Sequence, residues 1–184
     1  MANISFETLN YRAAKQLRDA ADRVEKAAPP ATQSWSIAFS GVSDGRLDSL
    51  IDEIAIALPK NTRSLYTFEL IDGELAAVRS AFELARGNRC EGRAYARLNG
   101  DDAECAALYV GSSRNTVSRL RQHLGFGPVK TYALHIAAWA RGLEGNILLS
   151  VHRYGDETTD EMLVALEDQL WAEMKPAFGR RGTK

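Results

Sequence analysis

Residues 107–123 read "ALYVGSSRNTVSRLRQH". An apolar strand ends in Gly-Ser-Ser, and a helix follows that Gly125 can close. Arg114 precedes this helix, and Arg119, Arg121 and His123 lie on it. Two explanations compete for so much positive charge behind a buried-looking Tyr109. One is a solvated helix face; the other is a phosphate site.

The flanks of this stretch set the expected fold. "GRAYARL" (92–98) alternates with the period of two that marks a strand, "NGDD" (99–102) is a turn signal, and 105–111 is the return strand. The pattern predicts a β-hairpin, with Arg93, Tyr95 and Arg97 on one face of its first strand. Cys105, Ala107, Tyr109 and Gly111 share a face of the second. Downstream, "KTYALHIAAWARG" has helical spacing and "NILLSVHRY" (146–154) reads as a strand. A last helix runs from about Thr159 to Met174, where Pro176 breaks it. The order ββααβα predicts an α+β fold, a small three-stranded antiparallel sheet flanked by helices.

Upstream, a helix over 5–27 can be capped by Ser5, and "APPA" ends it. A strand over 34–39, a helix from about Asp44 to Pro59, a strand over 64–71 and a helix from Asp72 to Gly87 complete an αβαβα order. No catalytic motif appears there. The composition shift at 87–92 divides the chain into an accessory region, 1–88, and a second domain, 89–184.

Charge is distributed more tellingly than its total. The net charge is -1, which does not announce a nucleic-acid binder. Residues 1–88 hold 10 Lys/Arg against 12 Asp/Glu, whereas no acidic residue lies between Glu104 and Glu144. The tail "GRRGTK" adds Arg180, Arg181 and Lys184. A locally basic surface on a neutral chain fits a phosphate-bearing partner. No apolar run approaches the roughly 20 residues of a spanning helix, and "MANISFETLN" lacks a signal-peptide pattern. Cys90 and Cys105 form no zinc motif and read as reduced thiols of a cytoplasmic protein. P-loop, GxGxxG, GxSxG and HExxH sequences are absent.

Three further residues bear on chemistry. Arg119 and His123 are four apart and project from one helix face. Glu167 lies within the apolar stripe of the last helix, beside Leu163, Leu166, Leu170, Trp171 and Met174. A carboxylate there needs an arginine or a metal ion to meet it. Asp168 is expected to look outward. His152 reads as a hydrogen-bonded sheet histidine, and His135 as a mid-helix residue without a role.

Taken in order, Tyr95, Tyr109, Arg119, His123 and Glu167 resemble the GIY-YIG nuclease family. Its second signature appears as "YVG" (109–111), its arginine as Arg119, its histidine as His123 and its metal-binding glutamate as Glu167. The first signature survives only as "RAY", ending at Tyr95. Ser112 stands where the family often has lysine, and "KPAFGRRG" puts Phe178 and Gly179 where it often has asparagine. The resemblance covers about residues 90–180. It implies a metal-dependent endonuclease acting on nucleic acid, most readily DNA, with one Mg²⁺ or Mn²⁺ on Glu167. By the same resemblance, Arg119 clamps phosphate and a tyrosine is the general base, Tyr95 preferred over Tyr109. Gly111, Ser112, Arg114, Arg121, Arg180 and Arg181 are then candidate substrate contacts. The competing expectation is a non-catalytic nucleic-acid-binding module on the same fold, with Glu167 a structural partner of Arg119. No membrane partner is expected, and the oligomeric state stays open, a homodimer being one option.

Overall fold

A computed structural model describes residues 5–28, 30–42, 46–100 and 106–182. The first helix, α1 (Phe6–Glu25), starts where the Ser5 hydroxyl accepts the Thr8 N–H. Strand β1 (Ala31–Ala38) follows, then α2 (Arg46–Ala57), which stops short of Pro59. Next come β2 (Ser64–Asp72) and α3 (Leu75–Gly87). The second half contributes β3 (Ala107–Ser113), α4 (Thr116–Leu124), a single turn α5 (Ile136–Trp139), β4 (Asn146–Arg153) and α6 (Asp160–Met174). Asn115 caps α4 by accepting the Ser118 N–H, and Gly125 ends it at φ 112°.

The strands form one antiparallel sheet in the order β1-β4-β2-β3. Register assigns its faces, because directly paired residues point the same way. Trp35 and Ile37, Ile147, Leu149 and Val151, and Tyr66, Phe68 and Leu70 therefore share a face. They form the core with Ile51 and Ile54 of α2, Phe82 of α3, Leu120 and Leu124 of α4, Trp139 and Phe178. The opposite face is polar over β1 and β4, where Ser34 bonds Ser150 and Thr32 bonds His152, each at 2.9 Å. His152 is thus the hydrogen-bonded sheet histidine its sequence suggested. Helix α6 packs against β3 and β2.

The architecture is α+β, with four strands among the described residues rather than the three expected. The difference arises because β1 and β2, both read as part of an accessory region, join the sheet, β1 beside β4 and β2 beside β3, while 92–98 drops out. The expected hairpin partner, 92–98, is not a strand and makes only isolated bridges, Tyr95 to Ala133 and Leu98 to Phe178. Both edges of β3 are otherwise engaged. One pairs with β2; on the other, Ala177 and Phe178 donate N–H groups to the Ala107 and Leu108 carbonyls at 2.9 Å. Segment 94–99 is stitched between two loops instead. Ala96 N–H donates to Ala133, Asn99 N–H to Ala177, and the Arg97 carbonyl accepts from Gly179. Asp44 and Cys105, and the latter part of the predicted turn at 99–102, lie outside the described residues.

The helix expected over 130–142 is also reduced, to one turn. His135 precedes it at φ 53°, left-handed backbone that no helix continues through. The chain end is held by Phe178, fully buried and stacked on Phe82 at 4.1 Å. Burying such a ring contributes roughly 1.5–3 kcal/mol, enough to fix the path of the residues that follow. Among the described residues, no helix is long and apolar enough to cross a membrane.

Candidate active site

A cleft of about 660 Å³ opens beside β3. Tyr66, Tyr95, Tyr109, Arg119 and Glu167 are its partly or fully covered lining, and Arg86, Arg97, Tyr132, Arg180 and Arg181 its exposed rim. The β2–β3 register builds the interior. Tyr66 pairs with Gly111 and Phe68 with Tyr109, so both tyrosines rise from the same face. Their rings stack at 6.2 Å and 10°. Gly111 leaves the space they need: a Cβ there would lie 2.6 Å from Tyr66 Oη and 2.8 Å from Tyr109 Cε1. That is a steric account of the glycine in "YVG".

His123 is sealed beneath this pair, at 0% exposure. The Leu134 N–H donates to its Nδ1 at 3.3 Å, so Nε2 carries the proton and donates to Tyr66 Oη, also at 3.3 Å. Burial, and then the Arg119 cation, push the His123 pKa well below its ordinary value. The shared helix face predicted for Arg119 and His123 thus divides in use: the arginine lines the cleft, and the histidine holds Tyr66 from behind.

Stability should follow from the neutral state of His123. An unfolded histidine takes a proton below about pH 6.5, and the buried one resists it, so the unfolded chain binds more protons as pH falls. The His123 contribution is therefore intact above about pH 6.5 and declines below it, by about 1.4 kcal/mol per pH unit for this one group. Urea unfolding at pH 7.5 and 5.5 should show the loss, and His123→Gln should lessen it, the remainder coming from His135 and His152, which burial also holds below their ordinary values. An equal loss in the variant would assign the effect to other groups.

Arg119 is partly buried, with both ends of its fork engaged. Nη1 donates to Gln122 Oε1 at 2.7 Å and Nη2 to Tyr109 Oη at 3.4 Å. Glu167 accepts the Ser112 hydroxyl at 2.5 Å. Burial raises the Glu167 pKa and Asp168 adds to this, while the Ser112 hydrogen bond and Arg119 oppose it. The tail passes close by, since a Cβ on Gly182 would be 3.2 Å from the Glu167 carboxyl carbon. Ser112, standing where lysine was expected, thus holds the carboxylate itself.

The other predicted residues scatter. Tyr95 is buried, and its hydroxyl donates to the Cys90 carbonyl at 3.3 Å. Its pKa is pushed up to about 12, by burial first and Cys90 next, outweighing Arg93. It lines the cleft wall as a protonated phenol tied to backbone, which is poor geometry for a base. Arg114 pairs with Asp160, as does Arg63 at 3.1 Å. Arg121 is exposed and is not among the lining residues. Arg180 and Arg181 reach the rim. Asp168, expected to face outward, is turned in at 16% side-chain exposure, with Arg181 at 3.7 Å.

Tyr66, Arg86 and Tyr132 were not legible as site residues. A signal existed for Tyr66: "SLY" (64–66) is a β-rich strand with a small–aliphatic–tyrosine order. No local pattern marks Arg86 or Tyr132. Among the described residues, no three His, Cys, Asp or Glu side chains gather as a metal cage. Glu167 offers one carboxylate on the cleft, which suits a hard divalent ion that keeps waters and takes its other oxygens from a phosphate. Comparison with family models, with curated proteins and with solved structures finds no match to this chain.

Proposed function

We propose that this chain is a metal-dependent endonuclease that hydrolyses phosphodiester bonds in nucleic acid, DNA before RNA. One observation carries the reading: Tyr66, Tyr109, Arg119 and Glu167, from four different elements, converge on one cleft with an arginine rim. Such a rim attracts a polyanion, and the interior has the groups that hydrolysis requires. Tyr66 of "SLY" takes the place that the resemblance to GIY-YIG nucleases gave to Tyr95. A cytoplasmic setting goes with such a substrate.

Arg119 donates N–H groups to a non-bridging phosphate oxygen and offsets the charge that grows there. Tyr109 faces the cleft and, as its phenolate, takes the proton of the attacking water. The Arg119 guanidinium at 3.4 Å compensates that charge. Tyr66 is the supporting phenol. Burial and then Tyr109 hold its pKa well above 10, so it stays protonated while His123 fixes its oxygen. Glu167 would hold Mg²⁺ or Mn²⁺, which neutralises charge on the phosphate and the leaving 3′ oxygen when bound.

The test is nicking of a supercoiled plasmid with Mg²⁺, Mn²⁺ or EDTA. Tyr109→Phe should lower the rate about 10²–10⁴-fold, the usual contribution of a positioned base. Tyr66→Phe should cost less, because the proton acceptor remains. The reverse order would make Tyr66 the base. Failure of the wild type to cut plasmid, single strand or RNA under any metal would overturn the reading.

A further inference from the structure

Tyr132 is 71% exposed although it lines the cleft. Its backbone, by contrast, is held on both sides. Thr131 N–H donates to the Pro128 carbonyl at 3.0 Å, closing the turn before it. Ala133 is bridged to 94–96, its carbonyl accepting the Ala96 N–H at 2.9 Å and its N–H reaching the Ala94 carbonyl at 3.3 Å.

His135 adds a second tie. It is fully buried, with Nε2 3.0 Å from the Thr131 carbonyl and 3.1 Å from the Ala94 carbonyl. Since both partners are acceptors, Nε2 carries the proton, and Nδ1 is left to accept from Arg93 Nη1 at 3.4 Å. The left-handed backbone of His135 is disfavoured for a residue with a side chain, and it is sustained by these bonds. The histidine that sequence left without a role thus pins the loop that carries Tyr132 to the segment that carries Arg97.

A pinned backbone presenting an uncovered aromatic ring is a preformed platform. Arg86, Arg97, Arg180 and Arg181 share the same rim and can track a sugar–phosphate backbone past it. Aromatic rings beside a basic groove bind nucleobases by stacking, and this requires a base whose face is free. In a duplex the faces are covered by neighbouring pairs, so the ring fits an unpaired or extruded nucleotide.

We propose that Tyr132 is a substrate-positioning residue that stacks on an unpaired nucleobase next to the scissile phosphate. Single-stranded or locally opened nucleic acid is then the preferred substrate. This rests on the reading of the cleft as a nuclease site.

Binding can be measured without cleavage, with EDTA present, using two probes of equal charge: a mixed-sequence single-stranded 12-mer and an abasic 12-mer of the same backbone. Tyr132→Ala should weaken the base-containing strand about tenfold or more and leave the abasic strand unchanged. Tyr132→Phe should restore the loss, since the ring and not the hydroxyl stacks. Equal affinity of wild type and Tyr132→Ala for the base-containing strand, or an equal loss on both strands, would overturn the platform. The nuclease reading would survive if both strands still bound with affinity that falls with salt. If wild type bound neither strand at low salt, both inferences would fall together.

Discussion

Glu167→Gln is expected to abolish metal-dependent cleavage, lowering the rate by about 10²–10³ or more, as loss of one preorganised electrostatic group does. The substitution keeps the volume and an oxygen that can still accept the Ser112 hydroxyl. It removes only the charge that a divalent ion requires. The same change should not destabilise the fold. Burial raises the Glu167 pKa, so its ionised form is disfavoured in the folded state. A group with a raised folded pKa contributes most at low pH and loses that contribution as pH rises past it, so at neutral pH the charge is a net cost. Thermal unfolding should therefore show an equal or higher Tm for Glu167→Gln, and the Mn²⁺-dependent rise in Tm of the wild type should vanish. Metal-dependent nicking that survives the substitution would remove Glu167 from the mechanism. The non-catalytic alternative cast Glu167 as the structural partner of Arg119. The observed partners are Ser112 for Glu167, and Gln122 and Tyr109 for Arg119. Under that alternative the wild type would bind nucleic acid and show no Mn²⁺ effect.

Arg119→Lys should lower turnover about 10²–10³-fold while leaving affinity for substrate nearly unchanged. Lysine preserves the charge but not the fork, and the fork here reaches two partners at once. Nucleic-acid affinity should instead depend on Arg86, Arg97, Arg180 and Arg181, the exposed rim proposed to meet phosphate, and loss of each should lower the salt dependence by about one unit of slope. Single-turnover cleavage separates the two effects. A variant that cuts within tenfold of wild type would assign the phosphate clamp to another residue.

Much of the secondary structure was legible because it is local. The apolar spacing and Ser5 cap of α1, the Gly125 stop of α4, and Pro59 after α2 act over a few residues. The covered position of Glu167 also followed from spacing, because it falls within the apolar stripe of α6. Strand partners did not. A strand carries its alternation in its own sequence, but its neighbour is chosen by which long-range pairing buries most apolar surface and satisfies both edges. Segment 92–98 has good alternation, yet β2 brings Tyr66 and Phe68 into the core against β3, and Ala177–Phe178 takes the other edge.

The base assignment depended on that same choice. Read as a hairpin, the chain made Tyr95 the companion of Tyr109. With β2 in the adjacent position, Tyr66 becomes the companion and Tyr95 donates to the Cys90 backbone. His123 was recognisable as part of the constellation, but its inward role needed the loop at Leu134 to arrive above it. By itself, the sequence determined which segments are helices and strands in most of the chain, and only its resemblance to the GIY-YIG family grouped Tyr109, Arg119 and Glu167, as an expectation. Tertiary structure decided which tyrosine joins them, which arginines form the rim and where Tyr132 stands. Side-chain periodicity is set by the local backbone, whereas cleft composition is set by contacts between segments far apart in the chain.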